Sequence, residues 1–206
     1  MFRSICSNGF ILALLGLFLF LPGGCPNADL GDPNDPQSQD NNPSQHNESN
    51  IPAVDKNDPQ LKLLTQAETI VEKNHSDAVL VEVHGTPAGS KAQTAADIVN
   101  WEFRFMEDSD EPGAATVYLE YHDGEFDDPY TIGYGLNGTM YQRLPRTMTL
   151  TTAVQYLRDA GYKDGFSEVV LRKPLEFPVP DEASFAFKIG SKYVLVGMKT
   201  GKVTGE

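Results

Sequence analysis

Between residues 59 and 206 the apolar positions of the chain follow two rhythms in a repeated order. Asp58-Pro59 offers a helix cap followed by a proline at the first helical position, and Leu64, Ala67, Ile70 and Val71 then recur at helical spacing. In "AVLVEVHG" the period falls to two, with Val79, Val81 and Val83 set against Glu82 and His84. "NWEFRFMED" alternates Trp101, Phe103 and Phe105 against Glu102 and Arg104. "TVYLEYHDGE" alternates Val117, Leu119 and Tyr121 against Glu120 and His122, after a turn at "EDSDEPGA".

The second half repeats the order. Thr149 caps a helix carrying Leu150, Ala153, Val154, Leu157 and Ala160, which Gly161 closes at the position after its C-cap. The strands "FSEVVLRK", "SFAFKI" and "KYVLVGMKTGK" follow. Val117 to Glu125 can be laid over Val194 to Lys202 without a gap, so that Gly124 and Gly201 coincide. The pattern predicts an α+β fold of two tandem units, residues 59–128 and 148–206, each one helix packed on a three-stranded antiparallel meander. One such unit has a small core, so the two are expected to share or abut their sheets. The connection, 129–147, carries Asn137-Gly138, a two-residue hairpin signal.

A helix with an alanine on its apolar face, a strand after "SDA" or "KDG", and a last strand running into "DGE" or "TGK" resemble the PepSY-like family. That family consists of small exported α+β modules, sometimes in tandem, and the likeness covers nearly the whole domain. Its last strand usually carries an Asp before the "TG" turn, whereas Gly197 holds that place here and Glu120 holds it in the first unit. The helix-on-sheet plan is also similar to that of the beta-lactamase inhibitor protein. PepSY-like modules are associated with inhibition or chaperoning of secreted peptidases and with binding roles in the envelope. They are not known for catalytic residues, so the resemblance supplies none.

Ahead of the domain the texture changes twice. Arg3 precedes an apolar run from Phe10 to Leu21, too short for a bilayer, which needs about 20 residues. It reads as a secretory signal over 1–24. Leu21-Pro22-Gly23-Gly24-Cys25 resembles the lipobox of bacterial lipoproteins, with Pro22 standing where a larger aliphatic residue is commonest. That likeness makes Cys25 the acylated mature N-terminus. Cys6 is the only other cysteine, so the exported part has neither a disulfide pair nor a cysteine metal site. Several acyl chains on one cysteine anchor stably where a single chain does not. Residues 25–58 are rich in Asn, Asp, Pro, Gln and Ser and predict a disordered, self-repelling tether.

Charge narrows the functions. The formal net charge is -13, which disfavours nucleic acid, whose binding demands clustered Lys and Arg. The membrane is then reached through lipid on Cys25, with the domain in the periplasm or on the cell exterior. Of the histidines, His46 falls in the tether and His75 at a helix–strand turn. His84 and His122 face outward on strands separated by another, about 10 Å apart, too far to share a metal. No zinc pattern accompanies them. Asp123 to Asp128 lacks the Gly and Glu spacing of an EF-hand loop. No nucleophile elbow, phosphate loop or dinucleotide fingerprint occurs. The expectation is a non-enzymatic binder without cofactor or metal.

Binding residues are sought on the outward sheet face, where Glu82, His84, Glu102, Arg104, Tyr118, Glu120 and His122 alternate away from the core. Arg104, Tyr118, Glu102 and His122 are the candidate partner contacts, because Arg and Tyr are favoured interface anchors. A solvated face of cross-strand charge pairs is the plainer alternative. On this reading, truncating Arg104 or Tyr118 affects binding and hardly affects folding. A second candidate surface is the connection with Tyr130, Tyr134 and Tyr141, since loops on rigid scaffolds often carry recognition. The expected function is binding of a protein partner in the cell envelope. Inhibition of a secreted peptidase or other hydrolase is the narrower alternative. An envelope enzyme with dispersed catalytic carboxylates is the third, and it would need a deep pocket with perturbed carboxylates.

Overall fold

The computed structural model describes residues 52–107, 115–133, 136, 141–174 and 181–205. Cys25, the tether as far as residue 51, Tyr134 and the Asn137-Gly138 pair lie outside the described residues.

Helix α1 (Pro59–Glu72) starts where its sequence says it must. The Asp58 carboxylate accepts from the backbone N–H groups of Gln60 and Leu61 at 2.9 and 3.2 Å, and Pro59 occupies the first turn. Its buried stripe is Leu61, Leu64, Ala67 and Val71, while Ile70 is only half-buried. In helix α2 (Leu150–Asp159) the Thr149 hydroxyl accepts from the Thr152 N–H at 3.2 Å, and Leu150, Ala153, Val154 and Leu157 are buried. Gly161 closes it at φ +94°, with Gly161 N–H donating to the Arg158 carbonyl and Tyr162 N–H to that of Leu157. This is the paired bonding of a Schellman motif. The two helices meet at one polar contact, where the Gln60 side-chain oxygen accepts from the Leu150 N–H at 2.8 Å.

Among the described residues, nine strands form one antiparallel sheet. The first helix is followed by β1 (Val79–Pro87), β2 (Ile98–Met106) and β3 (Thr116–His122), then by the short β4 (Glu125–Phe126) and β5 (Tyr130–Ile132). After α2 come β6 (Glu168–Arg172), β7 (Ser184–Ile189), β8 (Lys192–Gly197) and β9 (Val203–Gly205). The spatial order is β4-β3-β2-β1-β6-β7-β8-β9, with β5 also pairing β3. The meanders expected from the sequence are therefore halves of a larger sheet, fused where Glu82–Gly85 of β1 runs antiparallel to Val169–Arg172 of β6. Each also gains short strands: β4 and β5 beside β3, and β9 beside β8. Gly124 and Gly201 both turn the chain in the left-handed region, at φ +89° and +67°.

The register of β1 departs from the simple alternation. Leu80 pairs with Phe105 and Glu82 with Arg104, so Val81 is an extra residue in a bulge. As a result Leu80 and Val83 belong to the core, while Val81 is buried apart from it. The core is aromatic: Phe103, Phe105, Phe166, Phe185 and Phe187 are fully buried, and Phe166 meets Phe187 edge-on at 5.0 Å. Trp101 is 8% exposed and lies over Gly85, its partner on β1. A Cβ on Gly85 would sit 2.7 Å from Ile98 Cγ2 and 2.9 Å from Trp101 Cζ3.

Two substitutions test this packing. Trp101→Ala should lower the unfolding free energy by about 3–5 kcal/mol. Gly85→Ala, which overfills the same spot, should cost about 1–3 kcal/mol. Urea denaturation of each variant beside the parent chain measures both, and an unchanged midpoint for Trp101→Ala would place the indole outside the core.

Candidate functional site

On the face of the sheet away from the main core, strand pairing sets five side chains in one line. Arg172 of β6 is opposite Glu82 of β1, Glu82 opposite Arg104 of β2, Arg104 opposite Tyr118 of β3, and Tyr118 opposite Tyr130 of β5. A second row runs beside it, Val170, His84, Glu102 and Glu120. Period-two alternation puts these residues on one face. Their order across it comes from the pairing.

Glu82 is the pivot of the line. It points out of the core yet is 2% exposed. Its Oε1 accepts from Arg104 at 2.6 Å and lies 2.7 Å from His84 Nε2, while Oε2 lies 3.6 Å from an Arg172 nitrogen. His84 Nδ1 is 3.2 Å from Glu168, so the imidazole stands between carboxylates of the two fused halves. Lys188 and the Tyr193 hydroxyl also approach Glu168, at 3.8 and 3.4 Å. A buried carboxylate needs such partners, because an unpaired one costs several kcal/mol of desolvation.

Arg104 is committed within this network. Its Nε donates to Glu102, and its guanidinium lies 5.5 Å from the centroid of the Tyr118 ring. Burial works against its charge, but the hydrogen bond it donates to Glu102 and the charges of Glu102 and Glu82 outweigh it and raise its pKa above the ordinary value. Arg104 is thus not the unencumbered outward side chain that alternation suggests, and its loss reaches a buried charge. Tyr118 is half-buried, with its ring stacked on that of Tyr130 at 5.3 Å and 9° between planes. Tyr130 is 45% exposed, and its hydroxyl donates to Glu120 at 3.2 Å. Burial, then the Glu120 hydrogen bond, push its phenol pKa up.

Alternation along the strands assigned Arg104, Tyr118 and Glu102 to one face, and the structure brings them together. His122 shares that face but sits at the end of β3 and joins the turn instead, with Nε2 2.8 Å from Asp127 and Nδ1 3.6 Å from Asp123. The hydrogen bond and charge of Asp127 raise its pKa, against a smaller effect of desolvation and with added help from Asp123. Tyr134 lies outside the described residues, and Tyr141 is elsewhere, its hydroxyl donating to the Asp77 carbonyl at 3.4 Å. His75 pairs with Glu107 at 2.9 Å. The sequence reading missed the burial of Glu82, the part played by Arg172 and the stacking of Tyr130 on Tyr118. It had kept Tyr130 on a separate surface. Among the described residues no three His, Cys, Asp or Glu side chains converge as a metal site, and no helix is long and apolar enough to cross a membrane.

No family model and no curated protein matches the chain. It is similar to a crystallised protein of Clostridium difficile 630 provisionally named a lipoprotein. The two are 18% identical over 69% of this chain and 92% of that one, with a TM-score of 0.46.

Arg104→Ala leaves Glu82 buried with Arg172 as its remaining guanidinium partner and His84 within hydrogen-bond distance. The expected loss is about 3 kcal/mol, the low end of what breaking a buried pair costs. Chemical denaturation within a double-mutant cycle with Glu82→Val should show that the paired change restores most of it. His122 gives a pH prediction. Its raised folded-state pKa means that its contribution is fully present below the unfolded value and is lost as pH rises through the folded one. Proton NMR should find the His122 midpoint above that of an ordinary imidazole, and Asp127→Asn should bring it down.

Proposed function

We propose that this chain is an exported lipoprotein, anchored through acyl chains on Cys25, whose domain holds a protein partner of the cell envelope on its outer sheet face. The reading is of a binding protein and not an enzyme. One observation carries it: Tyr130 lies on Tyr118, Tyr118 beside Arg104, and Arg104 on the buried Glu82. The first residues of the connection, in β5, thus join the sheet face in one surface, ending in an exposed ring that the buried charge holds in place. Aromatic side chains over arginine are common binding anchors. Ordering them before the partner arrives reduces the entropy lost on binding.

A second contact supports the PepSY-like reading of the fold. At Gly197, where that family has an aspartate, the Glu182 carboxylate occupies the space a side chain would take. It accepts from the backbone N–H groups of Lys199 and Thr200 and from the Thr200 hydroxyl. The turn thereby has its carboxylate, delivered from the segment before β7 instead of from β8.

The test uses the full chain from a bacterial host, with the acyl mass on Cys25 verified by intact-mass measurement, as bait in envelope extracts. Tyr130→Ala should leave the unfolding free energy within about 1 kcal/mol, as for an exposed position. At a binding anchor the same truncation costs about 2 kcal/mol or more, close to a thirtyfold loss of affinity. Recovery of the same partner at parental level by Tyr130→Ala would overturn the assignment of this face.

A further inference from the structure

On the opposite side of the sheet, an open groove of about 1060 Å³ lies along α1, between the Val54–Lys56 segment and the β3–β4 turn. Its floor is apolar: Leu61, Ile70, Tyr121 and Phe126 line it, and the Tyr121 and Phe126 rings meet edge-on at 4.9 Å. Its charged lining consists of Lys56, Lys62 and Arg146, with no aspartate or glutamate. That balance runs against the chain as a whole, which has 29 acidic residues to 16 Lys and Arg. Arg146 is held in place by Thr65 at 2.9 Å and by Glu68. The Glu68 carboxylate also takes Arg143 at 2.9 Å, so two guanidinium groups share one counter-charge and a net positive charge remains.

We infer that this groove is a second binding site, for an acidic peptide segment of a partner protein that lays an apolar side chain on the Tyr121 and Phe126 floor. Three features select that occupant. The groove is open along its length and at the upper limit of small-ligand pockets, about 300–1,000 Å³, which suits an extended chain better than an enclosed molecule. Carboxylates on the segment complement Lys56, Lys62 and Arg146, and such complementarity steers encounter and fixes register. A bilayer surface is too flat to reach a concave floor, and three basic side chains are too few for nucleic acid, whose binding demands clustered Lys and Arg. Lys56 and Lys62 are exposed, so they are free to meet a ligand without disturbing the core.

The experiment titrates the full chain into fluorescein-labelled hexapeptides EFELEF, QFQLQF and KFKLKF and follows anisotropy. EFELEF should bind about tenfold more tightly than QFQLQF in about 50 mM salt, and the advantage should shrink in about 500 mM as screening shortens the Debye length. KFKLKF should bind weakest. The double variant Lys56→Glu, Lys62→Glu should abolish the preference while its thermal unfolding stays at the parental midpoint. Tyr130→Ala, on the other face, should bind EFELEF as the parent does. The inference is overturned by equal affinity for EFELEF and QFQLQF, by no binding of either, or by a preference that survives the double reversal. It also fails if Tyr130→Ala removes binding, or if phosphatidylglycerol vesicles are captured and EFELEF is not.

Discussion

Between β1 and β6 there are four residue pairs, Glu82 to Gly85 against Val169 to Arg172, and most of the molecule is arranged around them. They join strands more than eighty positions apart into one sheet, so two thin cores become one. They bring Arg172 and Glu168 to the Glu82–His84 pair, which lets a carboxylate on β1 be buried with counter-charges from both halves. They also let Val169 press against Gly85 from the side opposite Trp101. Without this seam each half would present an uncovered strand edge, which proteins normally hide because it pairs readily with other chains.

Local order was largely legible in the sequence. Both helices start at the residues whose side chains cap them, Asp58 and Thr149, and the second ends at Gly161 as its left-handed conformation requires. The six principal strands overlap the segments read as strands. Pairing across the chain was not legible, because alternation assigns a residue to a face but says nothing about its neighbour on the next strand. Val81 shows a second limit. One extra residue in a bulge shifts the phase of β1 while leaving its composition unchanged.

The candidate site divides along the same line. Glu102, Arg104 and Tyr118 were placed on one face by period alone, and the structure brings them together. That Tyr130 would stack on Tyr118 depends on β5 pairing back onto β3, which a Gly- and Tyr-rich connection does not announce. The burial of Glu82 was equally hidden, since an outward glutamate in a strand is ordinarily a solvated one. Its surroundings are supplied by β2 and β6, from opposite sides.

The carboxylate at the β8 turn constrains how this sequence can change. A side chain at position 197 and the carboxylate of Glu182 claim the same volume. An aspartate introduced at Gly197 while Glu182 stays in place brings two like charges into collision. Removing Glu182 first leaves the N–H groups of Lys199 and Thr200 without that acceptor. Either order of substitution passes through a state worse than both ends, so the two positions are epistatic. Homologous chains should therefore carry the carboxylate at one place or the other, and a Gly-to-Asp exchange at 197 should travel with loss of the glutamate at 182.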